Sequence, residues 1–302
     1  MATVTHPPRK MATRPGRQGS RQRSRRSPAL LLIAPSIVFM TLLFAWPMVV
    51  GVGQAITGPS GLTTDNLVQM TGDPYFWSAV RNTLLLVVVL IPVQFALALA
   101  MALMLRARPR FTSLYFYIWA VPLALSDLAA GLVWLAIFTD QGYLNTVLAH
   151  LGISQVSWLN YQNYGLMFMA VLIAEVWRAT ALVFVILVAG LQSIPQDYEE
   201  AAGIFGAGPW ARLRHVTLPL LRPSLQVALI LRTILAFQTF AVAQALTGQN
   251  FPLVVGETYR WSTSLMNPNV AAAIALVVMA VSMASALAYL RLLRDQSEPV
   301  AA

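Results

Sequence analysis

Eleven acidic residues, three histidines and no cysteine are the whole stock of general acids, bases and metal ligands in this 302-residue chain. The histidines, His6, His150 and His215, are too scattered to form a metal cluster, and the missing thiol removes disulfides and thiol catalysis. A phosphate-binding P-loop needs a lysine after its glycines, and the only lysine is Lys10. Neither an H-E-x-x-H motif nor a nucleophile–base constellation is present, which argues against an enzyme. What remains is the chemistry of charges in apolar surroundings. Asp127, Glu175, Arg178 and Arg232 stand inside apolar runs, where an ionisable group is costly unless it is paired or wet. Glu175 and Arg178 are spaced i, i+3, so they share a helix face and can pair. Asp127 has no partner on its own segment and either bonds to a neighbouring one or lines a cavity. Arg232 lies about nine residues into its run, and its guanidinium is expected to snorkel to the polar boundary.

The segments that carry these groups are long and apolar. Hydrophobic residues make up 58% of the chain and charged residues 10%, against about 25% charged in a soluble domain. The mean hydropathy is +0.66. A chain with so little polar surface is a membrane protein. A membrane span needs about 20 mainly apolar residues, and six segments qualify: 29–52, 83–105, 114–138, 166–187, 223–246 and 270–290. Pro35, Pro47, Pro92 and Pro122 interrupt them. Neighbouring helices must satisfy the carbonyls that these prolines free, so a packed bundle is expected. The organisation read from this pattern is a disordered basic tail (1–28), a first transmembrane helix with an external loop (29–76), a transmembrane core (77–292) and a short C-terminal tail (293–302).

Charge sets the orientation. Arg9, Lys10, Arg14, Arg17, Arg21, Arg23, Arg25 and Arg26 crowd the first 26 positions. In the six-span layout they share one side with Arg106, Arg108, Arg110, Arg212, Arg214, Arg222, Arg291 and Arg294, and only Arg81 and Arg260 fall opposite. Positive residues stay in the cytoplasm, so both termini and the loop between spans four and five are expected there. The net charge of +9 is therefore read as a topology signal and a contact for anionic lipid, with no nucleic-acid partner. The three external segments, about 53–82, 139–165 and 247–269, are too short to be binding domains.

The cytoplasmic loop, 193–222, is the one long polar stretch. Asp197, Glu199 and Glu200 favour a helix N-terminus. Gly206 and Gly208-Pro209 then break that helix, and a second short helix carries Trp210, Leu213 and Val216 along one face. Leu218-Pro219 is expected to end it. Two readings compete: an amphipathic helix resting on the membrane, or a protruding turn that docks in a partner. Small Ala201 and Ala202 at the tip, and the carboxylate of Glu200 for a partner arginine, favour docking.

Glu200-Ala201-Ala202, Gly206-Ala207 and Leu218-Pro219 are in register with the Glu-Ala-Ala loop of bacterial ABC import permeases, E-A-A-x-x-D-G-A followed by I-x-L-P. The chain resembles that family from about Ala29 to Tyr289. Phe205 occupies the position that usually holds Asp. Leu246-Thr247-Gly248 is similar to the Leu-Thr-Gly-Gly sequence of the sugar-importer, maltose-permease-like subclass. The resemblance implies an all-α membrane protein, the six-helix type I importer permease fold with a cytoplasmic coupling helix. It implies that Glu199, Glu200, Ala201, Ala202, Gly206, Ala207, Leu218 and Pro219 couple the chain to a separate ATPase. ATP and Mg would then sit on that partner, and this chain would bind no cofactor or metal. The implied partners are a second homologous permease subunit, two ATPase subunits, an extracytoplasmic sugar-binding protein and the lipid bilayer of the bacterial inner membrane. Asp127, Glu175, Trp177, Arg178, Gln238, Phe240 and Gln244 are candidates for the substrate pathway, being hydrogen-bonding and aromatic types at suitable depth. The transported solute is expected to be a disaccharide or related carbohydrate. Glycerol phosphate, a polyamine or an amino acid is the alternative. An ion-coupled secondary transporter is the rival of another class, but the chain lacks the two repeat halves such folds tend to show.

Overall fold

The computed structural model describes residues 26–58, 61–107 and 109–292. The basic tail up to Arg25, Arg108 and the 293–302 tail lie outside the described residues. Two units divide at Val50–Gly51. The first holds α1 (Arg26–Met40), a π-turn (Thr41–Ala45) and the start of α2 (Trp46–Ala55). Helix thus begins at Arg26, within the 1–28 segment expected to be disordered. Pro47 has no N–H to give and its ring crowds the carbonyl four residues back, and the wide π-turn before it relieves that crowding.

The second unit opens with the end of α2, followed by a short antiparallel hairpin, β1 (Thr57–Gly58) and β2 (Gly61–Leu62), and the short helix α3 (Asp65–Gly72). Then comes α4 (Pro74–Arg106), 33 residues long. Asp73 caps it by accepting from the Tyr75 N–H at 2.9 Å, with Pro74 at the first turn. The expected boundary at 76/77 therefore falls inside a helix. At 1.5 Å per residue α4 is about 50 Å long, well beyond the roughly 30 Å hydrocarbon core.

The third apolar run, expected as one helix over 114–138, is broken. It comprises α5 (Thr112–Ala120), a 3-10 turn (Val121–Ala124) and α6 (Asp127–Phe138), and the two arms bend by 104°. Pro122 tightens the first arm, and Ser126 starts the second by accepting from the Ala129 N–H at 3.2 Å. After α7 (Tyr143–His150), the fourth run is a single helix, α8 (Tyr164–Gln192). A polar arm follows, made of α9 (Asp197–Ile204), α10 (Pro209–Arg212) and a π-turn (Leu213–Thr217) that flows into α11 (Leu218–Phe237). Leu218-Pro219 does not end a helix as expected. The π-turn again ends one residue short of a proline and lets the helix run on.

The fifth run, expected to reach 246, stops at Phe237. Gln238, Thr239 and Phe240 leave helical geometry, and α12 (Ala241–Thr247) turns to pack on α6. Gly131 makes that packing possible, because a Cβ there would lie 2.6 Å from the Ala245 Cβ and 3.1 Å from the Val242 Cα. The chain finishes with α13 (Val254–Thr263) and α14 (Pro268–Leu292). Among the described residues, five helices are long and apolar enough to cross a membrane, or six spans if the bent pair counts as one. One core cluster joins Leu86, Leu90, Phe138, Met167 and Phe251, and a second joins Ala98, Phe184, Leu187 and Leu221. Both form where α4, α8 and α11 meet.

Candidate functional site

The polar arm is held by its own backbone. The N–H of Ala207 donates to the Ala202 carbonyl and that of Gly206 to the Gly203 carbonyl, both at 2.9 Å, while Gly206 has φ +79°. This is the Schellman closure of a helix, which needs a left-handed residue after the cap. Phe205, at the cap with φ −80°, takes no part through its side chain, so replacing the usual Asp leaves the turn closed. Phe205 is instead 90% exposed, beside Ile204 at 85% and Trp210 at 71%. The sequence singles out Phe205 only for the missing Asp and Ile204 not at all, and it groups Trp210 on a face with Leu213 and Val216. Those two are half-buried, whereas Trp210 is exposed. Three large apolar side chains in a polar loop were the available signal.

The two neighbouring glutamates have different jobs. Glu200 is exposed. Glu199 turns inward, 3.2 Å from Arg106 Nη2, and accepts from the Thr217 hydroxyl at 3.0 Å. Arg106 also donates to the Leu191 carbonyl at 2.7 Å. The end of α4, the end of α8 and the start of α11 are thereby tied to the arm. Exposed Ala201 and Gly206 share the tip with Glu200, and Ala202 and Ala207 are half-buried behind it. Leu218 and Pro219 are also half-buried, but within the continuous helix and apart from the tip.

A second polar cluster lies deep in the bundle. Arg232 of α11 is fully buried; it donates through Nε to Gln94 Oε1 at 2.7 Å and through Nη2 to Glu175 Oε2 at 3.3 Å. It does not snorkel, because partners on α4 and α8 reach it where it stands. Gln94 donates in turn to the Glu175 backbone carbonyl at 3.0 Å. The expected Glu175–Arg178 pair is present at 3.4 Å, but the closer partner of Arg178 is Asp127, at 2.6 Å. Asp127 stands at the break of the bent third run. It opens α6, half-exposed, where an acid favours the helix dipole. Two arginines and two carboxylates balance to zero net charge, and the four helices α4, α6, α8 and α11 meet through them. Gln94 had gone unnoticed, although a lone amide in an apolar run is itself a signal.

The other pathway candidates separate. Trp177 is half-buried and edge-on to Trp134, with ring centroids 5.9 Å apart, and Trp134 stacks on Phe138. Phe240 packs against Tyr259 at 5.4 Å, and it lines a small recess with Gln244, Phe251 and Glu257. Gln238 faces a different cleft, between α11 and α14. Near the recess, Arg260 bridges Glu257 at 2.6 Å and also pairs with Asp73, with its guanidinium over the Tyr75 ring. Burial pushes the Glu257 carboxyl up from its ordinary range, against the pull of Arg260.

The arm with its exposed tip is joined by the Arg106–Glu199 ion pair to a bundle with charges at its centre. Comparisons with known proteins identify the family. Residues 94–296 match the family model described as the binding-protein-dependent transport system inner membrane component. The chain is 32% identical over 286 residues to the sulfoquinovosyl glycerol transport system permease protein SmoG of Agrobacterium fabrum, covering 89% of this chain and 91% of the relative. It is 44% identical over 131 residues to the trehalose/maltose transport system permease protein MalF of Thermococcus litoralis, covering 43% of this chain and 42% of that one. Among solved structures, a chain of a bacterial ABC transporter that imports alginate superposes with a TM-score of 0.80 at 19% identity, over 91% of this chain and 97% of the other. The chain belongs to the family of binding-protein-dependent transport system inner membrane components, the permeases of ABC importers.

Proposed function

We propose that this chain is the permease subunit of an ATP-driven importer that brings a sugar, a disaccharide or related carbohydrate, into the cytoplasm. The near full-length similarity to a sulfoquinovosyl glycerol permease carries this reading. Relatives named for trehalose/maltose and for arabinooligosaccharides support it. The arm docks in a separate ATPase: Ile204, Phe205 and Trp210 supply apolar contact, and Glu200 a carboxylate for an arginine. Glu199 does not dock; with Arg106 it transmits movement of the arm to α4 and α8. ATP and Mg belong to the ATPase, present in two copies, and this chain has no nucleotide site of its own. A second, homologous permease completes the pore.

An extracytoplasmic sugar-binding protein delivers the solute. A related architecture carrying an alginate pentasaccharide-bound periplasmic protein supports this. The basic asymmetry supports a cytoplasmic position for both termini and the arm. A second reading, import of glycerol phosphate, is favoured by 29% identity to the UgpA permease of Yersinia pestis over 72% of this chain. ATPase activity of the reconstituted complex, measured with binding protein and a panel of maltose, trehalose and glycerol 3-phosphate, separates the two. Stimulation by a neutral sugar supports the first reading, and stimulation by the phosphate alone supports the second.

A further inference from the structure

A cavity of about 340 Å³ lies at the corner where the end of α4, the start of α5 and the end of α8 meet, large enough for a small-molecule group. Leu105 and Ile194 belong to its buried apolar floor, and Arg106, Thr112, Gln192 and Gln196 bring polar groups to its wall. Gln192 and Gln196 are exposed, so the cavity opens at the surface. Arg106 is the one charged side chain in that wall among the described residues. A guanidinium has five N–H donors. Arg106 gives one to the Leu191 carbonyl at 2.7 Å and faces Glu199 at 3.2 Å, which leaves donors for an anion.

The cavity stands at the edge of the apolar zone. From Asn82 to Leu105 α4 carries no charged residue, and Arg106 ends that run. The sequence Arg106-Ala107-Arg108-Pro109-Arg110 then sets three positive charges in five positions. Arg110 is exposed, two residues before Thr112. The acids on this side are Glu199, paired with Arg106, and Asp197, which follows Gln196, so positive charge is in excess. The turn ends in Phe111, 75% exposed, as suits an aromatic ring at headgroup level. The helices that wall the cavity also turn apolar side chains outward, Leu97 and Met104 on α4 and Leu114 and Ile118 on α5.

We propose that this cavity is a binding site for the phosphate of an anionic glycerophospholipid, with charge from Arg106 and Arg110 and amide donors from Gln192 and Gln196. Arginine suits a phosphate because its planar fork meets two oxygens at once. Basic pockets between membrane helices at the cytoplasmic boundary take such headgroups. Free inorganic phosphate shares that chemistry, but the outward apolar side chains of α4 and α5 favour the lipid, whose acyl chains they match. Thr112 contributes little, since its hydroxyl is committed to the Pro109 carbonyl at 2.6 Å. The bound lipid would sit against Arg106, the residue that ties the arm to α4 and α8. The site depends neither on the identity of the solute nor on the seat of the ATPase.

The probe is a photoactivatable phosphatidylglycerol, added to the assembled complex in phosphatidylcholine nanodiscs, with cross-linked peptides of this chain read by mass spectrometry. Cross-links should concentrate at the end of α4, the start of α5 and the end of α8. Unlabelled phosphatidylglycerol should suppress them, and inorganic phosphate at the same concentration should not. One charge near a membrane surface is worth about fivefold in affinity. Arg110→Gln should therefore weaken the competition by phosphatidylglycerol about fivefold, and Gln192→Glu with Gln196→Glu, which adds two negative charges, by on the order of twentyfold. All three positions are exposed, and co-purification of the complex shows that each variant is assembled. Cross-links spread evenly over the outward-facing helices, or unchanged in both variants, would overturn the proposal. Suppression by inorganic phosphate would show a site for a soluble anion and would overturn the lipid as its occupant.

Discussion

Replacing Glu175 by Gln should destabilise the bundle more than any other single change in the central charge cluster. Glu175 is 1% exposed and serves two guanidiniums, Arg232 at 3.3 Å and Arg178 at 3.4 Å. Arg232 is buried too and keeps only a neutral partner, Gln94, once the charge is gone. Removing one member of a buried pair costs about 3–5 kcal/mol, because the other charge stays in low dielectric uncompensated. The cluster would pass from neutral to a net positive charge, with Asp127 the remaining acid. Asp127→Asn should cost far less, about 1 kcal/mol or below, since half of that carboxylate faces out of the protein. The double change Glu175→Gln with Arg232→Met removes both buried charges and should recover much of the loss. Thermal unfolding of the detergent-solubilised complex is the assay. At about 2–4 °C per kcal/mol, Glu175→Gln should lower the midpoint by on the order of 10 °C. Equal midpoints for the Glu175 and Asp127 variants, or no recovery in the double variant, would refute the reasoning.

Three other outcomes follow from the same structure. Gly206→Val should strain the left-handed turn at φ +79° by roughly 1–2 kcal/mol and reduce recovery of the ATPase with the permease, whereas Gly206→Asn should be milder; equal recovery for both would show that the turn does not govern docking. Reporter fusions after Asn145 and after Ala211 should report opposite sides of the membrane, and same-side signals would contradict the orientation. Phe240→Ala or Gln244→Ala should lower sugar uptake in an intact complex, and unchanged uptake in both would remove the recess beside α12 from the solute path.

The apolar runs made the spans legible, because burial in lipid demands length and composition that nothing else in a short chain requires. Where those spans break was not legible. Pro92 sits inside a continuous helix and Pro122 beside a sharp bend, so proline alone decides neither. Ser126 and Asp127 add the start signal that Pro92 lacks. The break at Gln238–Phe240 carries no glycine or proline at all. It follows from the packing of α12 on Gly131, a contact across more than a hundred residues that no local pattern displays. The charge cluster was half visible. The i, i+3 pair could be read from spacing, but Arg232 meets Gln94 across 138 positions, and snorkelling was the best local expectation. In the arm, the family resemblance grouped Glu199 with Glu200. Only the position of Arg106, on another helix, separates the anchor from the exposed carboxylate.

The arm as the seat of a separate ATPase is the central claim. The direct measurement is co-purification of that ATPase with the permease, alongside sugar uptake, for the wild type and for Glu200→Arg. A charge-assisted bond to a partner arginine is worth about 1.5–3 kcal/mol, and reversal replaces it with repulsion. The account expects the variant to remain inserted in the membrane while ATPase recovery and uptake both collapse. Full recovery of the ATPase together with normal uptake would contradict it.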